Sequence, residues 1–220
     1  MKGLLFDMDG VLVDVSQSYR RAIKETVRRL SGRNVSYSLI QKYKNRGGLN
    51  NDWDLTDMML RDMGKKVSKK TVIDTFQRFY KGDDFDGLIR YERWLLSSKS
   101  LKALKSRFRL GIVTGRPRQE ADYVLRRFDV KVHFAAVITM DDVPHDRQKP
   151  DPIGLQMALR SLAVEDSYYI GDCVDDMLAA RRAGIAGIGV AEEQDLRELL
   201  INSGAQFVLK DVNQIVEVLP

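Results

Sequence analysis

Two aspartates stand two residues apart in Asp7-Met8-Asp9-Gly10-Val11-Leu12-Val13-Asp14, directly after the apolar run 2–6. In open α/β sheets, ligands bind at the carboxyl ends of strands, which is where this pair falls. Gly10 permits the sharp turn that would bring both carboxylates to one site. Carboxylates crowded together repel, so a divalent cation is their natural stabiliser. The plain alternative is a surface loop with ordinary acidic residues.

A second acidic run, Gly171-Asp172-Cys173-Val174-Asp175-Asp176, follows the apolar run 167–170. A helix starting near Val174 places Asp172 and Asp176 four apart, able to face one side. Acidic residues at a helix start also complement its dipole, which suffices for Asp175. Two further residues complete the set. Thr114, with Gly115, ends an apolar run, and its hydroxyl and the following N–H groups could hold phosphate oxygens. Lys149, in Lys149-Pro150-Asp151-Pro152, offers a compact positive charge to a phosphoryl group and to crowded aspartates. A Thr-Gly turn and a Lys-Pro pair are common singly. Their order with the two acidic runs makes them specific.

The elements that must position these residues read as an alternation. Apolar runs at 2–6, 109–113, 134–138, 167–170 and 185–190 have the character of buried parallel strands. Between them, Ala121, Val124, Leu125 and Phe128 have helical spacing, and Leu155, Ala158, Leu159 and Leu162 nearly repeat it. Strands alternating with helices predict an α/β domain with a parallel sheet. Residues 15–92 break the alternation and read as consecutive helices, roughly 16–30, 36–45, 52–63 and 69–80, punctuated by glycines. The expected organisation is a core of 1–14 and 93–220, with a helical insertion of 15–92.

The 220 residues are 44% apolar and 30% charged, as in a globular protein and not a disordered one. No stretch approaches the roughly 20 apolar residues that span a bilayer, so no membrane partner is expected. The N-terminal apolar run is cut short at Asp7, which argues against a signal peptide. The single cysteine, Cys173, excludes an internal disulfide and, with the lack of a leader, predicts a cytoplasmic location. Residues 15–92 carry 17 Lys+Arg against 10 Asp+Glu, a net of +7, while the rest nets −2. No dense basic cluster with interleaved aromatics is present, so no nucleic-acid partner is expected. The basic insertion is either a solvated surface or a lid that draws in anionic substrates.

With Asp7-x-Asp9, Thr114, Lys149 and Gly171-Asp172-x-x-x-Asp176 in this order, the chain resembles the haloacid-dehalogenase superfamily over its whole length. The insertion resembles the helical cap of the subfamily containing phosphoglycolate phosphatases and β-phosphoglucomutases. The resemblance implies a Rossmann-like parallel sheet of strand order 5-4-1-2-3 and a cap that opens and closes. Dehalogenases resembling this fold lack the second aspartate. Asp9 is present here, so the phosphotransfer branch fits. The stretch Asn50–Thr56, with the run Gly171–Asp176, also resembles a group within that branch without naming a substrate.

What the resemblance implies is a magnesium-dependent phosphatase acting on a small phosphorylated metabolite, as a monomer or homodimer. Asp7 would be the nucleophile and Asp9 the general acid and base. Thr114, Gly115 and Lys149 would hold the phosphoryl group. Asp7, the Asp9 backbone carbonyl and Asp172 would hold Mg2+, with Asp176 acting directly or through water. In the insertion, Arg46 beside Gly47–Gly48 could fork onto a second anionic group, and Trp53 could wall a pocket; both could equally be structural. A phosphomutase of the β-phosphoglucomutase type shares the core motifs and is the alternative enzyme. A silent binding protein on the same fold would have no need of all these residues together.

Overall fold

A computed structural model describes residues 2–49 and 51–219. The chain opens with β1 (Lys2–Phe6) and a short β2 (Val13–Asp14), followed by α1 (Tyr19–Ser31), α2 (Tyr37–Lys44), α3 (Asp52–Asp62) and α4 (Lys69–Tyr80). After β3 (Arg93–Trp94) come α5 (Ser98–Lys105), β4 (Phe108–Val113), α6 (Arg118–Arg127), β5 (Ala136–Ile138) and α7 (Ile153–Leu162). The chain closes with β6 (Ser167–Gly171), α8 (Val174–Ala183), β7 (Ala186–Val190), α9 (Gln194–Asn202), β8 (Ala205–Leu209) and α10 (Ile215–Val218). Two compact units result: Met1–Val13 with Trp94–Pro220, and Asp14–Arg93.

The first unit is built on a six-stranded sheet of order β5-β4-β1-β6-β7-β8. Every pairing is parallel. The expected order of five strands is therefore present, and β8 adds a sixth outside β7. Its sequence, AQFVL, has an exposed Gln206 and a half-buried Phe207 at the sheet edge, so it lacks the continuous apolar run of a strand buried on both faces. Leu5, Val113, Leu155, Leu162 and Tyr169 are buried together where α7 lies on the sheet. Burial of each such aliphatic side chain stabilises by about 1.5–3 kcal/mol.

The second unit is helical. Ser36, Asn51 and Ser68 accept N–H bonds at the starts of α2, α3 and α4, satisfying donors that the helices leave open. The Tyr19 and Tyr80 rings stack with centroids 4.0 Å apart, and Phe76 packs against both. Below them Ser18 and Tyr80 donate to Glu92 Oε1 at 2.8 and 3.1 Å, which compensates a carboxylate that is only 2% exposed. Asp14 Oδ2 accepts from Arg93 Nη2 at 2.6 Å, joining the two ends of the unit.

Candidate active site

Sheet register determines what meets at the site. Phe6 pairs with Ile112 on one side and Ile170 on the other. Asp7, Thr114 and Asp172 therefore leave the sheet at the same carboxyl edge. The crossovers from β1 and its neighbours run in opposite directions there, and open α/β sheets bind ligands at such a switch point. Asp7 is tied to the edge by its N–H, which donates to Ile170 O at 2.8 Å.

The chain then turns back on itself: the Leu12 and Val13 N–H groups both donate to Met8 O, and that of Gly10 donates to Val13 O. Gly10 has φ +76°, and a Cβ there would lie 2.0 Å from Asp172 Oδ2. Only glycine satisfies both demands, and its bare backbone lets the Asp172 carboxylate approach the 9–10 peptide. At the other loop, a Cβ on Gly171 would lie 2.3 Å from Asp176 Cβ, so this glycine lets β6 close against the start of α8.

A buried charge cluster lies between these loops. Lys149 Nζ is 2.8 Å from Asp7 Oδ1 and 2.7 Å from Asp176 Oδ1. It also donates to Tyr169 Oη at 3.0 Å. Burial pushes the Asp7 carboxyl well up from its ordinary value; Lys149 opposes the rise, and Asp176, Asp9 and Asp172 add to it. Burial works against the Lys149 ammonium, yet Asp176 and Asp7 hold it charged and push its pKa well up. Asp176 is moved down: burial is outweighed by Lys149 and by hydrogen bonds from Lys149, Cys173 and Tyr169.

Asp176 accepts five hydrogen bonds. Its Oδ1 takes Lys149 and Tyr169; its Oδ2 takes the N–H groups of Asp172 and Cys173 and the Cys173 thiol. It is also wholly buried. Its oxygens are thus occupied by protein donors. Asp172, Cys173 and Asp176 have potential ligand atoms within 4.8 Å of one another. Burial and the neighbouring carboxylates push the Cys173 thiol well up, which keeps it protonated and makes it a poor ligand. The donor set that fits a hard cation is instead oxygen-based: Asp7 and Asp172, with the backbone of the Asp9–Gly10 turn that Asp172 approaches.

Thr114 is buried, 4% exposed, at the end of β4. Its N–H is used by Ile138 O, and its Oγ1 accepts the Arg116 N–H at 3.2 Å. That bond shapes the Thr114-Gly115-Arg116 turn and occupies one of the N–H groups after Thr114 that could serve a phosphate.

Two residues here were not expected from sequence. Arg116 is 0% exposed, and its Nε donates to Asp9 Oδ1 at 2.7 Å, with Nη2 reaching the same oxygen. Its only sequence signal was a cation two residues past a strand-end threonine. Tyr169 links Lys149 and Asp176, and its signal was the second of two adjacent tyrosines in the strand, three residues before Asp172.

The remaining candidates lie outside this cluster. Arg46 is in the helical unit, with Cζ 4.2 Å from the Tyr43 ring and Nη1 3.8 Å from Asp62 Oδ2. Trp53 is half-buried in the first turn of α3, and its N–H is capped by Asn51. Asn50, part of the same expected segment, lies outside the described residues. No helix among the described residues is long and apolar enough to cross a membrane.

Comparison with known proteins bears on the fold and the family. The chain is 33% identical to imidazoleglycerol-phosphate dehydratase of Phytophthora nicotianae over 98% of its length, and it spans 49% of that protein. It is 27% identical to pyrophosphatase PpaX of Anoxybacillus flavithermus, covering 98% of this chain and 95% of that one. In fold it matches a predicted phosphoglycolate phosphatase from Haemophilus somnus 129PT, with a TM-score of 0.80 at 21% identity, over 99% of this chain and 97% of that one. The haloacid dehalogenase-like hydrolase family matches residues 4–190, and the chain belongs to that family.

Proposed function

We propose that this hydrolase is a Mg2+-dependent phosphatase that removes phosphate from a small phosphate monoester through an aspartyl-phosphate on Asp7. The observation that carries the reading is the buried Asp7 carboxylate, paired at 2.8 Å with Lys149 among further carboxylates at one sheet edge.

Asp7 and Asp172 carboxylates and the Asp9 carbonyl would hold the cation. When bound, it would offset charge between an anionic nucleophile and an anionic ester. Asp176 is assigned a supporting part, because its oxygens already accept five donors.

An Asp7 oxygen attacks phosphorus as the bond to the ester oxygen breaks. Asp9 gives its proton to the departing alkoxide. Water then attacks the same phosphorus, Asp9 takes a proton from it, and Asp7 leaves as a carboxylate. Lys149 balances negative charge in both steps, and its bonds to Asp176 and Tyr169 keep the ammonium in place. Thr114 and Gly115 orient the phosphoryl oxygens. The helical unit is assigned substrate selection, with Arg46 as its candidate anion contact.

The test is a panel of phosphorylated metabolites assayed for released phosphate, with magnesium and with chelator. Phosphoglycolate and pyrophosphate belong in the panel. Imidazole-bearing phosphate monoesters belong there too, since one relative is an imidazoleglycerol-phosphate dehydratase. Release of phosphate only with magnesium supports the reading. Isomerised ester without net release would identify a mutase.

A further inference from the structure

We infer that Arg116 is a positioning residue that fixes the carboxylate of Asp9 for proton transfer. The inference rests on the reading of Asp9 as the proton carrier.

Arg116 is the largest wholly buried side chain of the described residues. Burying a guanidinium is costly unless it is paired and its donors are used, so its partner matters. Here Nε and Nη2 both donate to Oδ1 of Asp9. The partner is no ordinary core acid: the Asp9 side chain is 27% exposed, while Arg116 is 0% exposed. Arg116 is wholly buried and its fork is turned onto Asp9, so the role assigned to it is exerted through Asp9.

Its own backbone is held at both ends. The Arg116 N–H donates to Thr114 Oγ1 at 3.2 Å, and its carbonyl accepts the Met140 N–H at 3.1 Å. The planar fork is therefore anchored to the ends of β4 and β5. A partly exposed aspartate would otherwise sample several rotamers. Held from behind at Oδ1, Asp9 keeps Oδ2 as the oxygen that can work on a leaving group or water. A misplacement of about 1 Å at such a group can cost about 10²-fold in rate.

Thr114-Gly115-Arg116 thereby serves two functions within three residues. Its first two members face the phosphoryl group, and the third orients the acid that protonates the group's leaving oxygen. A lysine would keep the charge but not the fork geometry.

The test compares enzyme phosphorylation by an alkyl phosphate and by an aryl phosphate with an acidic phenol, using rapid-quench kinetics. The variants are Arg116→Gln, Arg116→Lys, Asp9→Asn and the Asp9→Asn/Arg116→Gln double variant, each checked by thermal melting. Arg116→Gln should slow phosphorylation by the alkyl ester about 10- to 100-fold, and that by the aryl ester less than about threefold. Arg116→Lys should show the same selectivity with a smaller loss, and it serves as the informative variant if the glutamine form is unfolded. The double variant should be no slower than Asp9→Asn alone, because both changes remove one function.

Equal losses on both esters, additive losses in the double variant, or no loss in either Arg116 variant would overturn the inference and leave the phosphatase reading standing. A normal alkyl rate in Asp9→Asn would instead overturn the assignment of Asp9 and the inference with it.

Discussion

Lys149 Nζ and Asp176 Oδ1 lie 2.7 Å apart, with side chains 6% and 0% exposed. The pair lies behind Asp7, whose Oδ1 is 2.8 Å from the same ammonium. Removing one member of a buried pair leaves the other's charge poorly compensated. Asp176→Ala also removes the acceptor of five hydrogen bonds. It should destabilise the protein by about 3–5 kcal/mol, measured by urea unfolding. A loss below about 1 kcal/mol would place the pair with ordinary surface ion pairs.

Asp7→Asn should abolish all phosphoryl transfer, because an amide cannot form the acyl-phosphate. Asp9→Asn keeps the nucleophile but loses the proton carrier, so alkyl esters should react about 10²–10⁴-fold more slowly. With an aryl ester the first step should partly recover, and phosphorylated enzyme should accumulate because hydrolysis lacks its base. Intact-protein mass spectrometry after acid quench should then find a phosphate adduct that maps to Asp7. An adduct on any other residue would reassign the nucleophile.

Chelator should abolish turnover, and magnesium should restore it. The cation should also raise the unfolding temperature, because binding to the folded state at a hundred times the dissociation constant stabilises by about 2.7 kcal/mol. Asp172→Ala should lose both effects together. Full activity after exhaustive chelation would remove the cation from the mechanism.

Asp142 gives a pH signature from a group with no assigned part in the reaction. It accepts from Thr139 N–H and hydroxyl at 2.7 and 2.8 Å, and from Arg118. Burial opposes its charge, but these donors prevail and its pKa is lowered. A lowered carboxyl pKa gives stability that is present above the unfolded value, about 3.9, and lost as pH falls through the folded one. Asp142→Asn should therefore lower the melting temperature at pH 7, with the gap closing below about pH 4. A gap that persists unchanged at pH 2 would contradict this origin.

Arg46→Ala should reduce kcat/KM for the preferred substrate more than for a generic aryl phosphate. Its guanidinium rests on Tyr43 near Asp62 and is 59% exposed, so truncation should leave the fold intact. Equal loss on both substrates would count against a recognition role.

The amino-acid sequence determined the architecture of the core because buried parallel strands must be continuous apolar runs, and β1, β4, β6 and β7 obey that rule. It also determined the helices of the second unit, whose apolar stripes and serine or asparagine starts are local features. β8 was not legible, because an edge strand that is partly solvated needs no such run. The same division holds at the site. Asp7, Asp9, Thr114 and Asp172 were readable as chemistry-bearing residues just past strand ends, and Lys149 as a cation in the loop before α7. Only tertiary structure decided that Asp176 spends its oxygens on five donors, that Tyr169 joins Lys149, and that Arg116 is buried against Asp9. These roles depend on burial and on partners 3 to 107 positions away in the chain. Residue type announces a charge, but the surrounding packing decides which partner neutralises it and whether water can reach it.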